Sequence, residues 1–458
     1  MTNIKINERN LLFECIINLT KKFQKDFLRQ NSENKLFGRE YFDCLNSFLT
    51  GVNKIAPNNK EEIKKLNEIL DPIINYIKQP KKFKYYEELV SLMEEYIKCL
   101  DGVNERSALV LKSIKLILDE EKTTSKVTFS FTSTFLFYIQ KNISEEPLDQ
   151  AELFKEILLI INKSFAFDED SIETSKIYAL LLTLQILNLN LNLPEDVYSF
   201  LINKSLSSFE YIELNDSNNF AYDRNNINQL SLANVSLGFI FKPSLTFEIL
   251  KKKIKISENK EILYFNKFCN LLIEINKITY PDYNPLLGKC IILGICGILT
   301  NQNCIDYLNE NKKMKLYLIR IFLHIILFHK REKTKILNVL MKKELNCNFV
   351  TEDENNDEEE EEEEEEDEID IEFNEKVESI LNGNGNIKNS DEFKYYTQVM
   401  RLVKEKDIDI YNSILEEVHE NTTKLLDNLF KVRNITIKYK NKELTVPRKT
   451  LKIIKKLK

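Results

Sequence analysis

The chain has no tryptophan, three histidines, and nine each of glycine and proline in 458 residues. Average proteins carry ~7% glycine and ~5% proline. Folds of the α/β and all-β classes need glycine in turns and phosphate loops, so this scarcity points to long helices joined by short polar links. The nine glycines form no Gly-x-Gly-x-x-Gly, no Walker-type loop and no Gly-x-Ser-x-Gly elbow. Gly288, Gly294 and Gly297 lie in an apolar run, where close helix packing is their expected role. His324 and His329 are separated by about 140° around a helix, so they cannot share a metal, and His419 stands alone. The eight cysteines, Cys15, Cys44, Cys99, Cys269, Cys290, Cys296, Cys304 and Cys347, are scattered without a Cys-x-x-Cys pair. They read as reduced thiols serving as small core residues. Residues 1–10 lack the apolar core of a secretory signal, and the longest apolar runs fall short of the ~18 residues that span a bilayer. A soluble intracellular protein is expected, with no catalytic residues, no cofactor, no metal and no membrane insertion.

Charge is abundant and unevenly placed. An unbroken run of nine glutamates, Glu358 to Glu366, lies inside the segment from Glu352 to Glu372, which holds 17 acidic side chains and no basic one. The last 28 residues, Lys431 to Lys458, carry 11 Lys/Arg against the single Glu443. The net charge is −7, so the remainder is balanced. A neutral helical body with an acidic insert and a basic end has the layout of a binding protein rather than an enzyme. At 458 residues and 43% hydrophobic content it can bury a core, as several domains or as one repeat array.

Helical periodicity recurs along the chain. A helical pattern over 60–78 is interrupted at Asp71-Pro72, read as a cap and first-turn proline. Residues 82–100 put Tyr85, Leu89, Leu92 and Tyr96 on one stripe, and 172–192 is rich in Leu and Ile. A helix is expected over 258–277 from Ile262, Phe265, Cys269 and Leu272. Asn284-Pro285 reads as a cap before Leu286–Leu299, and 314–329 is apolar nearly all round, so both its faces must be covered. Helices follow at 391–406 and 408–431, and Ile435–Val446 alternates like a hairpin turning at Asn441-Lys442. Asn215–Asn228 reads as a surface loop. Helical hairpins of about 40–47 residues fall in the range of HEAT-type repeats. The expected fold is all-α: a right-handed α-solenoid of HEAT-like hairpins over 1–350, an acidic disordered loop with a short helix over 351–390, a closing helical pair over 391–431 and a basic tail over 432–458.

The acidic run has two readings, a solvating spacer or a polyanion that captures basic proteins through long-range, salt-sensitive attraction. Its setting within a helical array favours the second, with Asp357, Glu358, Glu359, Glu360, Glu361, Glu362, Glu363, Glu364, Glu365, Glu366, Asp367 and Glu368 as cargo-binding residues. The basic tail has three open roles: docking on the acidic run, contacting RNA or an acidic partner, or keeping the end soluble. Docking within the chain is the default.

Four stretches carry a resemblance. They are DPIINYIKQPKKFKYYEELVSLMEEYI (71–97), LGKCIILGICGIL (287–299), the acidic run continuing into DEIDIEFNEKVESIL (357–381), and DEFKYYTQVMRLVKEKDIDIYNSILEEV (391–418). Their order resembles the C-terminal half of the importin-β superfamily of nuclear transport receptors (karyopherins), of the importin-seven and importin-eight type. The likeness runs over about 60–430, is strongest over 285–430, and is weak at both ends. It implies a right-handed HEAT superhelix that shuttles between nucleus and cytoplasm through the nuclear pore. Its expected partners are basic cargo such as ribosomal proteins or histones, Phe-Gly nucleoporins and the GTPase Ran in its GTP form, with no direct nucleic-acid contact. Family members are about twice this length and bind Ran mainly through N-terminal repeats that nothing in Met1–Pro57 resembles. The expectation is therefore a fragment, or a shortened protein with weakened Ran control. Two rivals stand beside it, a helical scaffold without a transport role and an acidic chaperone for basic proteins.

Overall fold

The computed structural model describes residues 6–27, 35–52, 60–74, 85–121, 126–141, 143, 148–166, 172–189, 193–214, 221–257, 260–274, 283–346, 373–381, 387, 389–410, 412, 434–439 and 442–447. The described residues are nearly all helical, with four short strands in two antiparallel hairpins. They form two compact units: 1–234 with 379–384, and 235–378 with 385–458.

In the first unit the helices are α1 (Ile6–Phe27), α2 (Lys35–Val52), α3 (Lys60–Ile74), α4 (Tyr86–Leu100), α5 (Glu105–Glu121), α6 (Lys126–Tyr138), α7 (Gln150–Phe165), α8 (Ile172–Asn188), α9 (Glu195–Leu214) and the start of α10 (Ala221–Phe241). Their packing follows a rule of alternation. Helix α4 lies between α2 and α6, and α6 lies between α4 and α8, while α1 packs on α3 and α5 on α7. The even and odd helices thus run in two files. The expected stripe of α4 explains this: Leu89, Leu92 and Tyr96 are fully buried. So are residues all round α8, including Leu180, Leu181, Leu182, Leu184 and Ile186. A helix buried on every side needs neighbours on every side. Turns between helices are fixed by local chemistry. Asp101 ends α4 in the left-handed region at φ 53°, and the Gly102 amide returns to the Ile97 carbonyl. Asp149 caps α7 by accepting from the amides of Ala151 and Glu152.

Two expectations are corrected here. Pro72 does not interrupt its helix; it lies inside α3. Ile73 and Ile74 beyond it are buried, and Asp71 is held by both Nε and Nη2 of Arg106 at 2.6 and 3.1 Å, so tertiary contacts keep the last turn helical. The expected surface loop over 215–228 is helical from Ala221, where α10 begins. Its polar residues face inward: Asn226, Gln229, Ser231 and Asn234 are buried, and Asn234 Nδ2 donates to the Leu180 carbonyl at 3.1 Å.

The second unit holds the end of α10, α11 (Pro243–Leu250), strands β1 (Lys253–Ser257) and β2 (Lys260–Leu263), and helices α12 (Tyr264–Glu274), α13 (Pro285–Thr300), α14 (Gln302–Glu310) and α15 (Lys312–Asn346). After them come α16 (373–381), α17 (Glu392–Lys406), β3 (Asn434–Tyr439) and β4 (Lys442–Pro447). The last three residues of α16 belong to the first unit. Helix α13 is the centre, packed against α14, α15 and α17. Asn284 caps it by accepting from the amides of Leu286 and Leu287, and Pro285 occupies the first turn, as expected. The three glycines do pack closely. A Cβ on Gly294 would sit 2.4 Å from Ser236 Cβ, one on Gly297 2.6 Å from the Phe239 carbonyl, and one on Gly288 1.9 Å from the Tyr283 hydroxyl. The two apolar faces expected over 314–329 are covered through Ile319, Phe322 and Ile326 on one side and Ile321, Ile325 and Phe328 on the other.

The helix expected over 258–277 is a further correction, because residues 260–263 form β2, paired with β1, and the helix starts at Tyr264. Lys253-Ile254-Lys255-Ile256 alternates with period two, so a strand pair outcompetes one early helical turn. Near the C-terminus β3 and β4 form the expected hairpin. Tyr439 pairs with Lys442, so Lys442 belongs to β4 rather than to the expected turn at Asn441-Lys442.

Candidate functional site

Asp357 to Glu368, the expected cargo-binding residues, lie outside the described residues, as do 413–431 of the expected closing pair. The described chain gives only the flanks of the acidic run, α15 ending at Asn346 and α16 beginning at residue 373. The short helix expected after the run is present, with Phe373, Val377, Ile380 and Leu381 buried.

In the first unit the end of α16 lines a groove of about 250 Å³ bounded by Lys98, Ser133, Thr134, Phe137, Tyr138, Gln185, Leu189, Ser379 and Ile380. Asn188 Nδ2 donates to the Ile380 carbonyl at 2.9 Å, which fixes that wall to α8. The polar floor is internally satisfied: the Ser133 hydroxyl donates to Gln185 Oε1, and Gln185 Nε2 donates to the Ser133 carbonyl, both at 2.8 Å. Lys98 is ion-paired with Glu94 and Glu95 at 2.7 and 2.8 Å. Burial works against its charge, but the bonds from these two carboxylates prevail and raise its pKa. Apolar contact remains on offer. Phe137 is 42% exposed at the rim beside Tyr138, Leu189 and Ile380. A groove of this size and lining accepts an apolar or aromatic side chain and falls below the size usual for a small-molecule site. The sequence reading did not single it out, although Phe137 within the aromatic end of α6 (Phe135-Leu136-Phe137-Tyr138) was its one visible signal.

The second unit contains a buried charged network. The Tyr283 hydroxyl lies 2.6 Å from His329 Nδ1, and His329 Nε2 lies 3.4 Å from Glu392 Oε1. Lys333 Nζ donates to the same Glu392 oxygen at 2.7 Å, and Lys289 Nζ stands 3.9 Å from Oε2. His329 is fully buried and Glu392 is 3% exposed. Burial pulls the imidazole pKa down, so it is neutral. Its Nε2–H then donates to Glu392 while Nδ1 accepts from Tyr283, one tautomer serving both contacts. Burial opposes the Glu392 carboxylate, yet the His329 bond and the Lys333 and Lys289 charges outweigh it and hold its pKa well below the ordinary range. Burial also raises the Tyr283 hydroxyl and lowers Lys289. This network ties α17, which opens at Asp391 and Glu392, to α13 and α15. Every polar atom named in it faces another within the protein, which suits a fastening rather than a reaction centre. The sequence reading considered His329 only as a metal ligand and passed over Glu392.

Of the cysteines, Cys99, Cys269, Cys290, Cys296 and Cys304 are free and buried, Cys15 and Cys44 are free and exposed, and Cys347 lies outside the described residues. Burial pushes the Cys269 and Cys290 thiols up to about 12. Among the described residues no single helix is long and apolar enough to cross a membrane, and no cluster of His, Cys, Asp or Glu could hold a metal ion. No family model, curated protein or solved structure matches this chain.

Proposed function

We propose that this protein is a carrier of basic proteins, and that its helices build a right-handed α-solenoid of HEAT-like hairpins. The observation that carries this reading is the conjunction of two files of stacked helices with 17 acidic residues set between α15 and α16. A polyanion attracts basic partners at long range and strengthens as salt is lowered. Paired helices then supply surface for recognition, and no bond is made or broken. The likeness over about 60–430 gives the proposal its specific form, a nuclear transport receptor segment of the importin-β kind that shuttles between cytoplasm and nucleus. In that form Asp357 to Glu368 gather ribosomal proteins or histones, Ran-GTP governs release, and the Phe137 groove takes a phenylalanine of a Phe-Gly repeat.

Replacing Glu358–Glu366 with Gly/Ser and titrating a basic ribosomal protein at two salt concentrations tests the carrier role. Weaker binding with a shallower salt dependence is expected, and unchanged affinity and slope would reject it. Retention on immobilised Phe-Gly repeats, lost in Phe137→Ala, separates a transport receptor from a plain scaffold. Discharge of cargo by Ran-GTP separates it from an acidic chaperone.

A further inference from the structure

Helix α15 holds ten Lys/Arg against two Glu. Solvated helix faces ordinarily mix both signs of charge. One side of α15 is taken up by α17: the Phe322 ring meets Tyr396 edge-on at 4.9 Å, and His329 and Lys333 hold Glu392. The opposite side carries Lys313, Tyr317, Arg320, His324, Arg331 and Lys335. These six fall within an arc of about 80° along about 33 Å of helix. Lys313, His324, Arg331 and Lys335 are exposed, Tyr317 is 37% exposed and Arg320 is half-buried, as is Leu327 in the one gap.

No carboxylate lies on this stripe. Glu332 stands next to it but is fully buried, and its Oε1 accepts from Arg331 Nε at 2.8 Å and from Lys335 Nζ at 3.0 Å. One buried carboxylate thus positions two cations whose side chains stay 57% and 48% open to solvent, with one positive charge in surplus. The Arg331 guanidinium also rests 5.2 Å from the Phe328 ring centre. At the other end, neither Lys312 nor Lys313, both exposed, has an ion pair among the described residues. We infer that this stripe is a binding surface for single-stranded nucleic acid. Its cations meet phosphates, and Tyr317 and His324, about 10 Å apart along the axis, offer ring faces on which bases stack. An acidic polypeptide would use the cations and leave the rings idle. A duplex keeps its base faces stacked inside. The inference stands apart from the carrier role, and it departs from the resemblance, which implies no nucleic-acid contact.

Fluorescence anisotropy of a labelled oligouridine with the full chain tests it. Phosphate contacts from Lys312, Lys313, Arg331 and Lys335 should cost about 50-fold in affinity between about 50 and about 200 mM salt. Lys312→Gln with Lys313→Gln should weaken binding and roughly halve that salt slope. Tyr317→Ala with His324→Ala should weaken binding at least about fivefold at both salts and leave the slope alone. Oligoglutamate and duplex RNA should bind more weakly and ignore the ring pair. Photocross-linking with 4-thiouridine in the oligomer should mark Tyr317 or His324. Replacing Glu358–Glu366 with Gly/Ser should tighten binding by removing a competing polyanion, and unchanged circular dichroism checks that each variant folds. Absence of binding both with and without that replacement overturns the proposal. So do affinity indifferent to the ring pair, oligoglutamate bound as tightly as the oligouridine, or adducts confined to Lys431–Lys458.

Discussion

The two units solve the same problem, holding helices side by side, with different chemistry. In the first, buried side chains are mostly apolar or neutral polar, and each ion pair between helices keeps at least one partner partly open to solvent. Lys112–Glu152 and Lys115–Glu156 join α5 to α7 at 2.8 and 2.9 Å, and Arg106–Asp71 joins α5 to α3. In the second, charge is placed inside, where Glu392 meets His329, Lys333 and Lys289 at the start of α17. Exposed pairs are screened and each contributes little, whereas a buried carboxylate is tolerable only while its partners remain. The first unit should therefore yield gradually to substitution and the second abruptly.

The largest expected effect is Glu392→Gln. It removes the carboxylate charge that Lys333 and Lys289 share and should cost ~3–5 kcal/mol. Hydrogen exchange at the α17 amides would report it, while amides of α4 to α8 should be unmoved. If α17 exchanges as before, the fastening role fails.

Gly294→Ala sets helix propensity against packing. Propensity alone stabilises by roughly 1 kcal/mol. The new Cβ would lie 2.4 Å from Ser236 Cβ and 2.6 Å from its Cα, backbone that cannot turn aside. Overpacking of that kind costs ~1–3 kcal/mol, so a net loss in a denaturant titration is expected. A gain would show that α10 and α13 have room to separate.

Acidification should also divide the units. His329 is held neutral by burial, so its folded pKa lies below the ordinary 6.5 and the unfolded chain binds the proton more readily. Its contribution is complete above pH 6.5 and declines as pH falls below it, by at most ~1.4 kcal/mol per pH unit for one proton. Glu392, also depressed, adds a loss of the same sign below its ordinary 4.5. The sequence of the first unit has no histidine, so between pH 6.5 and 5 the protection of amides relative to their intrinsic exchange rates should fall in α13, α15 and α17 rather than in α4 to α8. His329→Gln should abolish the upper part of that response. The smallest effect belongs to the surface pairs: a double-mutant cycle on Lys112 and Glu152 should return ~0.2–1 kcal/mol, falling with added salt. A value of several kcal/mol would erase the contrast between the units.

Much of the helical frame was legible in the residues. Asn284-Pro285 states a cap and a first turn in local chemistry, and the all-round apolar pattern of 314–329 requires neighbours on both sides. The alternation in 435–446 is enough to specify a hairpin. The failures share a cause. Asn226 and Asn228 look like loop residues because the sequence does not reveal that the helix carrying them is buried. Pro72 reads as a breaker until Arg106 is found gripping Asp71. Neither the Phe137 groove nor the Glu392 network could be read, since each draws on residues far apart in the chain; His329 and Glu392 are 63 apart.

By itself the sequence determined the helical class, the caps, the glycines that must meet another backbone, and the concentration of acid in one segment and base in another. These are local properties, set by side-chain geometry and charge within a few residues. Only the tertiary structure decided which polar side chains turn inward, that α2, α4, α6 and α8 form one file, and that Leu11 and Leu19 of α1 are exposed. Burial depends on what lies across the gap, and a single helix does not encode its neighbour.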